Sequence, residues 1–132
     1  MVGNFDFIVL NYHAPSTGGS VNPEDDAPLL WPAFTAAPSH VSPTEQDVLL
    51  LGDFNQKTPE GFLPSEVLRL VYGGTTSATG GGEPYDTIFI DSRYTRYEYT
   101  GHWGINRLPI TMGLSDHAVV WARFWTYLED DD

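Results

Sequence analysis

Residues 46–54 read QDVLLLGDF, and this stretch decides the fold. Its centre is continuously apolar, which is typical of a strand buried on both faces. Gly52 permits a backbone or a ligand to approach closely near the end of the strand. In an extended strand Asp53 and Asn55 share one face, while Phe54 points to the core. The stretch therefore predicts a central strand that ends in two polar side chains.

Four further segments have strand-like patterns. They are residues 4–12 (NFDFIVLNY), 85–91 (YDTIFID), 94–99 (YTRYEY) and 117–127 (HAVVWARFWTY). Their β-branched and aromatic residues favour strands, and the third alternates as a half-exposed strand does. Residues 63–72 have apolar residues at helical spacing, with Pro64 in the first turn and Gly73 after the end. The balance of these elements predicts an α+β fold.

Residues 14–45 are different, because six prolines interrupt a polar stretch of small residues. Proline removes a backbone donor and clashes with the preceding helical turn, so this density argues against a long helix. We expect a proline-rich loop, and so long a loop in a compact domain indicates function or lost structure. The chain is then one domain over residues 1–128, followed by an acidic tail at residues 129–132.

Composition restricts the chemistry that the chain can perform. It has no cysteine, which excludes disulfides and thiolate metal sites and leaves oxygen and imidazole as metal ligands. The net charge is −12, the opposite sign from a protein that coats nucleic acid. An enzyme that binds phosphate through a bound cation can itself carry a negative net charge, because the cation supplies the local positive charge. The acids are explained by a solubilising surface or by adaptation to high salt. Without a signal peptide or a membrane-spanning apolar run, we expect a soluble protein of unknown compartment.

Four short motifs carry candidate chemistry, and each adjoins an apolar strand. They are NYHAP at 11–15, GDFN at 52–55, YD at 85–86 and SDH at 115–117. A carboxylate beside a carboxamide can hold Mg²⁺ or a metal-bound phosphate oxygen. An aspartate beside a histidine supplies a ligand and a group that takes a proton near neutral pH. Taken singly, each motif is explained about as well by a turn or a capped strand.

A basic and aromatic stretch at residues 93–103 could stack on bases. Strand alternation explains it more simply, with Tyr97 and Tyr99 on one face and Arg96 on the other. Trp121, Phe124 and Trp125 are likewise expected to be core or sheet-face residues.

In this order and at these separations, the four motifs resemble the second half of the deoxyribonuclease-I-like endonuclease/exonuclease/phosphatase superfamily. The resemblance runs from about Phe5 to Phe124 and is closest to the deoxyribonucleases at HAPS and YDTI. It implies half of a two-sheet αββα sandwich, with one mixed β-sheet and one or two helices. The uncovered apolar face of that sheet would then be covered by a sheet from a partner subunit.

The resemblance also implies ligands for a metal and for the substrate. Asp53, Asn55 and Asp116 would hold Mg²⁺, with Mn²⁺ or Ca²⁺ as alternatives. Asn11 and Asn55 would contact the substrate.

Three residues take catalytic roles by the same resemblance. His117, oriented by Asp86, would activate or position the attacking water. His13 would stabilise the transition state and protonate the leaving oxygen. A histidine at this position favours deoxyribonuclease, sphingomyelinase or phosphatase relatives over apurinic-site endonucleases.

The expected function is a metal-dependent phosphodiesterase, most simply an endonuclease that hydrolyses DNA. Two alternatives stay open. One is a phosphomonoesterase or lipid-head-group phosphodiesterase on the same site, and the other is a non-catalytic half-domain that acts as a binding or assembly module. Because the family's N-terminal half and its metal-binding glutamate are not in the chain, we expect a homodimer or a complementing N-terminal half, and no membrane.

Overall fold

The computed structural model describes residues 5–15, 23–55, 64–79 and 84–127, and for residues 23–29 the backbone alone. The acidic tail at 129–132 lies outside these ranges. The elements in chain order are β1 (Ile8–His13), α1 (Pro23–Val41), β2 (Val48–Asp53), β3 (Val67–Arg69), β4 (Asp86–Asp91), β5 (Tyr99–Asn106), α2 (Leu108–Thr111) and β6 (Val119–Phe124). The fold is therefore α+β. In the described ranges, no helix has the length and apolar character needed to cross a bilayer.

Two sheets make up the strand layers. The central sheet has the order β1-β2-β4-β3 and is mixed, because β1 is parallel to β2 while the other pairs are antiparallel. β5 and β6 form a separate antiparallel pair, which we call the hairpin sheet. The expectation of a single sheet is wrong, because these two strands pair with each other instead of extending an edge of the first sheet.

β2 is buried on both faces, as its apolar run predicts. Val48 and Leu50 belong to a core that α1 closes, and each is 2% exposed. Leu49 and Leu51 face a second core, which the inward side chains of the hairpin sheet close. Each such side chain stabilises the fold by roughly 1.5–3 kcal/mol when fully buried. The hairpin sheet thus covers a face of the central sheet that we expected a partner subunit to cover.

Most of the proline-rich segment is helical, so the expected loop at residues 14–45 is wrong. α1 begins at Pro23, where a missing N–H costs no helical hydrogen bond, but it also contains three further prolines. Trp31, Phe34 and Ala37 lie on one face and are buried against the central sheet. This burial outweighs the unfavourable helix propensity of proline. The helix also provides the crossover that the parallel β1–β2 pair requires.

The predicted helix at residues 63–72 is wrong as well. Its described part contains the short strand β3, which pairs with β4 at the edge of the central sheet. Arg69 fixes this edge, because its buried guanidinium donates to the carbonyl oxygens of Val71 and Pro84 at 2.7 and 3.0 Å. Leu70 and Val71 are fully buried in the second core, so the apolar spacing that suggested a helix reflects sheet packing.

Residues 94–98 form a turn instead of the predicted strand, and β5 begins at Tyr99. The buried side chains of this turn are Thr95 and Glu98, whereas Tyr97 is 67% exposed. The alternating aromatic residues therefore do not mark a row that faces the core.

Gly52 brings β1 and β2 close together at the end of the sheet. Its φ is +147°, and a Cβ at this position would lie 1.8 Å from the carbonyl oxygen of Tyr12. No side chain fits at that distance from a backbone atom, so the close approach requires glycine.

We expect Gly52→Ala to lower the free energy of unfolding by at least about 3 kcal/mol, because the Cβ collides with the backbone of β1. Gly101→Ala is the matched control. Gly101 also has a positive φ of +79°, but nothing lies within 4 Å of its Cβ position, so the loss should be about 1 kcal/mol. Urea unfolding followed by circular dichroism measures both losses. Equal losses would contradict the steric account.

Candidate active site

Three polar side chains form a row across the central sheet where β1 and β2 end. His13 is paired in register with Asp53, and Asp53 with Asp86. Paired residues on neighbouring strands direct their side chains to the same face, so the three groups are adjacent. The row lies on the face that packs against the hairpin sheet, just beyond the second core.

A fourth group, His117, reaches this row from the segment before β6. Its Nδ1 lies 2.9 and 3.1 Å from the two carboxylate oxygens of Asp86. Its Nε2 lies 3.7 Å from Oδ2 of Asp53. The same oxygen is 3.7 Å from Nε2 of His13. The structure thus brings together four of the residues that the motifs singled out, with one carboxylate facing two imidazoles.

The segment that holds Asp86 and His117 together gives no signal in the sequence. Thr76 is fully buried, and its Oγ1 accepts a hydrogen bond from the backbone N–H of Asp86 at 3.0 Å. Its carbonyl oxygen accepts one from the N–H of Ala118 at 2.7 Å. Ser77 forms a β-bridge with His117. Thr76 is therefore a positioning residue for both groups, and neither periodicity nor motif spacing marks it.

Two predicted substrate contacts lie beside the row. Asn55 has a positive φ of 49°, which asparagine tolerates better than most residues. Its backbone N–H donates to Oδ1 of Asp53 at 2.9 Å, and its Nδ2 donates to the carbonyl oxygen of Ala14 at 2.8 Å. Asn55 thus fastens the end of β2 to the end of β1. Asn11 is exposed on β1, on the same face as His13.

Asp53, Asp86 and His117 could hold a metal ion, because each offers one ligand atom and these atoms lie within 4.8 Å of one another. The set implied by the family resemblance was Asp53, Asn55 and Asp116, so the two sets share only Asp53. Asp116 is exposed, and it is not part of this group of ligand atoms in the described residues.

The chemistry of these donors fits a divalent cation. Two carboxylates supply the oxygen ligands that hard divalent cations prefer, and the imidazole is a ligand that transition metals accept. Asp53, Asp86 and the nearby Asp116 would also repel a phosphate group if no positive charge offset theirs. A cation in this group would remove that repulsion.

Burial is the main reason why the pKa of Asp53 is raised. The hydrogen bond from the N–H of Asn55 lowers it, and the negative charge of Asp86 raises it further. His117 and His13 lower it by smaller amounts. Burial thus destabilises the charged form of Asp53, and a nearby cation would stabilise this form.

Opposing effects act on the pKa of His117. Burial lowers it, but the hydrogen bond to Asp86 and the negative charges of Asp86, Asp53 and Asp116 together raise it by more. The net result is a raised pKa, so the site favours the protonated imidazole. His117 can therefore hold a proton that it has taken up near neutral pH.

No protein-family model matches the chain, and no curated protein matches its sequence. The likeness to the deoxyribonuclease-I-like superfamily remains a resemblance carried by the four motifs, and a function has to be argued from the geometry above.

We expect Asp86→Asn to lower the pKa of His117, because it removes a charged hydrogen-bond partner. A raised pKa in the folded state means that protonated His117 stabilises the fold below its unfolded pKa. This contribution is lost as the pH rises through the folded value, and the variant should lose most of it. NMR titration of the imidazole in EDTA measures the shift, with the exposed Asp6→Asn as control. An unchanged His117 pKa in Asp86→Asn would contradict the pairing.

Proposed function

We propose that the chain is a metal-dependent phosphodiesterase that hydrolyses DNA by attack of water on phosphorus. The observation that carries this proposal is the orientation of His117, with Nδ1 on Asp86 at 2.9 Å and Nε2 towards Asp53 at 3.7 Å. A carboxylate on Nδ1 fixes the tautomer in which this nitrogen bears the hydrogen. Nε2 then carries no hydrogen and can accept a proton, and it lies beside the Asp53 carboxylate, which faces both histidines.

Two protons move in the proposed reaction. Nε2 of His117 takes one from the attacking water as the bond from water oxygen to phosphorus forms. His13, whose side chain is 78% exposed, gives the other to the leaving oxygen as its bond to phosphorus breaks. Asp53 would hold a divalent cation, with Mg²⁺ as the expected metal and Mn²⁺ or Ca²⁺ as alternatives, and the cation would offset the negative charge of the phosphate. Asp86 keeps the His117 ring in place throughout.

We favour DNA as the substrate because the sequences HAPS and YDTI, around His13 and Asp86, resemble the deoxyribonucleases. The net charge of −12 favours a second candidate, a phosphomonoesterase or a lipid-head-group phosphodiesterase, since a small substrate is repelled less than a long polyanion. The same four groups would serve either reaction. A non-catalytic half-domain is the third candidate.

We expect the chain to nick supercoiled plasmid DNA in the presence of Mg²⁺ and to stop when EDTA is added. His117→Ala, His13→Ala and Asp53→Ala should each slow nicking by about 10²- to 10⁴-fold, since each removes a proton-transfer group or a charge at the reacting phosphate. His40→Ala is the matched control, because His40 is exposed in the last turn of α1 and should leave the rate unchanged.

A panel of small phosphoesters, each tested with and without EDTA, separates the candidates. Hydrolysis of p-nitrophenyl phosphate or of a phosphocholine diester, with DNA left intact, supports the second candidate. If no metal-dependent hydrolysis is detected, or if His117→Ala has the activity of the unmodified chain, the non-catalytic half-domain is the better account.

We also propose that a partner completes this domain, most simply a second copy and otherwise a complementing N-terminal half. The hairpin sheet already covers the second face of the central sheet. The support for a partner therefore comes from an exposed edge of the central sheet. β1 is the outermost strand, and within the described ranges it pairs with β2 alone. Phe7 and Val9 at this edge are 46% and 48% exposed. An open edge of this kind readily pairs with another strand, which would lie beside His13.

Light scattering at micromolar concentration should give the mass of two chains, and KCl should favour the dimer because each copy carries a charge of −12. Val9→Lys should yield a monomer, since it places a charge on the pairing edge. Val41→Lys is the control, because Val41 is 66% exposed at the end of α1 and is not part of the β1 edge. A folded monomer at every salt concentration would rule out the second copy.

A further inference from the structure

One segment of this strongly acidic chain contains almost no acidic residues. Of the 18 aspartates and glutamates, Asp116 alone lies between residues 99 and 127. This segment forms β5, α2 and β6 and contains two arginines, Arg107 and Arg123. Two arginines against one aspartate give it a formal charge of +1, while the whole chain carries −12. The segment itself therefore repels a polyanion less than the chain as a whole does.

The outer face of the hairpin sheet presents an aromatic ring. Along β6 the exposed residues are Val119, Trp121 and Arg123, and the alternate residues pack inward against the second core. The indole of Trp121 lies against Gly104, its cross-strand partner. A Cβ on Gly104 would be 2.6–2.9 Å from three atoms of the ring, so glycine leaves the space that the ring fills. Trp121 remains 41% exposed, which leaves ring surface open to solvent.

Two arginines lie on either side of Trp121 in the register of the hairpin. Arg123 is two residues beyond Trp121 on the same face of β6. Arg107 follows the end of β5 and makes a long 3.5 Å contact to the carbonyl oxygen of Thr75. In the part of the chain that the structure describes, neither arginine forms an ion pair, whereas Arg93 pairs with an aspartate at 2.6 Å. Both are therefore available to a phosphate.

Short chain segments connect this surface with the candidate active site. Arg107 contacts Thr75, two residues before Ser77, which bridges to His117. His117 stands just before β6, and Arg123 follows it by six residues, or roughly 20 Å of extended chain at about 3.3 Å per residue. A single strand that contacts both His117 and Arg123 therefore has to span at most about 20 Å.

We propose that Arg107, Trp121 and Arg123, the hairpin track, bind a single-stranded nucleic acid that extends from the active site. An unpaired base stacks on Trp121, and the two guanidinium groups contact backbone phosphates. A paired base offers no free face to a ring on this surface, which is why the strand is single. The inference rests on the proposed function, since it identifies the form of nucleic acid taken by the same site. A second copy on this face would set like charges against each other, so a polyanion matches it better.

Fluorescence anisotropy of a fluorescein-labelled single-stranded oligothymidylate of about 12 nucleotides, measured in EDTA to prevent cleavage, tests the track. Trp121→Leu should weaken binding by roughly 5- to 150-fold, the range measured for loss of one stacked base. Arg123→Gln should reduce the slope of log Kd against log salt by about 0.7, as expected for one phosphate contact on a single strand.

Tyr97→Leu and Arg96→Gln are the matched controls, because both residues are exposed on the turn before β5 and lie outside the track. They should bind the oligonucleotide as the unmodified chain does. Arg123→Gln keeps the test meaningful if Trp121→Leu fails to fold, since an exposed arginine supports no core.

Three results overturn the inference. In the first, both track variants bind the oligonucleotide as the unmodified chain does. In the second, a duplex of equal length binds more tightly than the single strand. In the third, Trp121→Leu changes the sedimentation of the chain but not its binding, which makes the face a contact between copies. Binding that depends on Trp121 without hydrolysis of any phosphoester supports the track and refutes the proposed function instead, so the two failures are distinguishable.

Discussion

Residues 48–51 place apolar side chains alternately on both faces of the central sheet, and water has to be excluded from each face. α1 covers one face and the hairpin sheet covers the other. α1 forms despite three internal prolines, because burial of the apolar face that closes the first core outweighs their destabilising effect. The polar end of β2 begins where both cores end, which explains why Asp53 is only partly buried. The position of the site thus follows from the burial of this strand.

Strand register then assembles most of the site. His13, Asp53 and Asp86 are far apart in the sequence but neighbours in one row, because β1, β2 and β4 are adjacent strands. His117 joins them from the segment before β6, which backbone hydrogen bonds of the segment around Thr76 hold in place. The proposed hydrolysis would use these groups as a proton acceptor with a fixed ring, a second imidazole and a carboxylate between them.

Sequence patterns predicted the strands better than the connections between them. The apolar runs located β1, β2, β4 and β6, since buried strands need such residues wherever they occur. α1 was missed because local propensity weighs against it, and its stability comes from burial against residues distant in sequence. The motif residues His13, Asp53, Asp86 and His117 were found because their side chains carry the chemistry. Thr76 was missed because it acts through hydrogen bonds to the backbone, which no pattern of side chains reveals.

The hydrogen bond between Asp86 and His117 links the central sheet to the segment before β6, while the two sheets meet mainly through apolar packing. The two members of the proposed catalytic pair therefore belong to different structural units. Partial opening, in which the hairpin detaches while the central sheet persists, needs less free energy than global unfolding. Such opening would separate the pair and displace the hairpin track in one event. Catalysis and strand binding would then be lost together, as one cooperative unit, before the fold itself is lost.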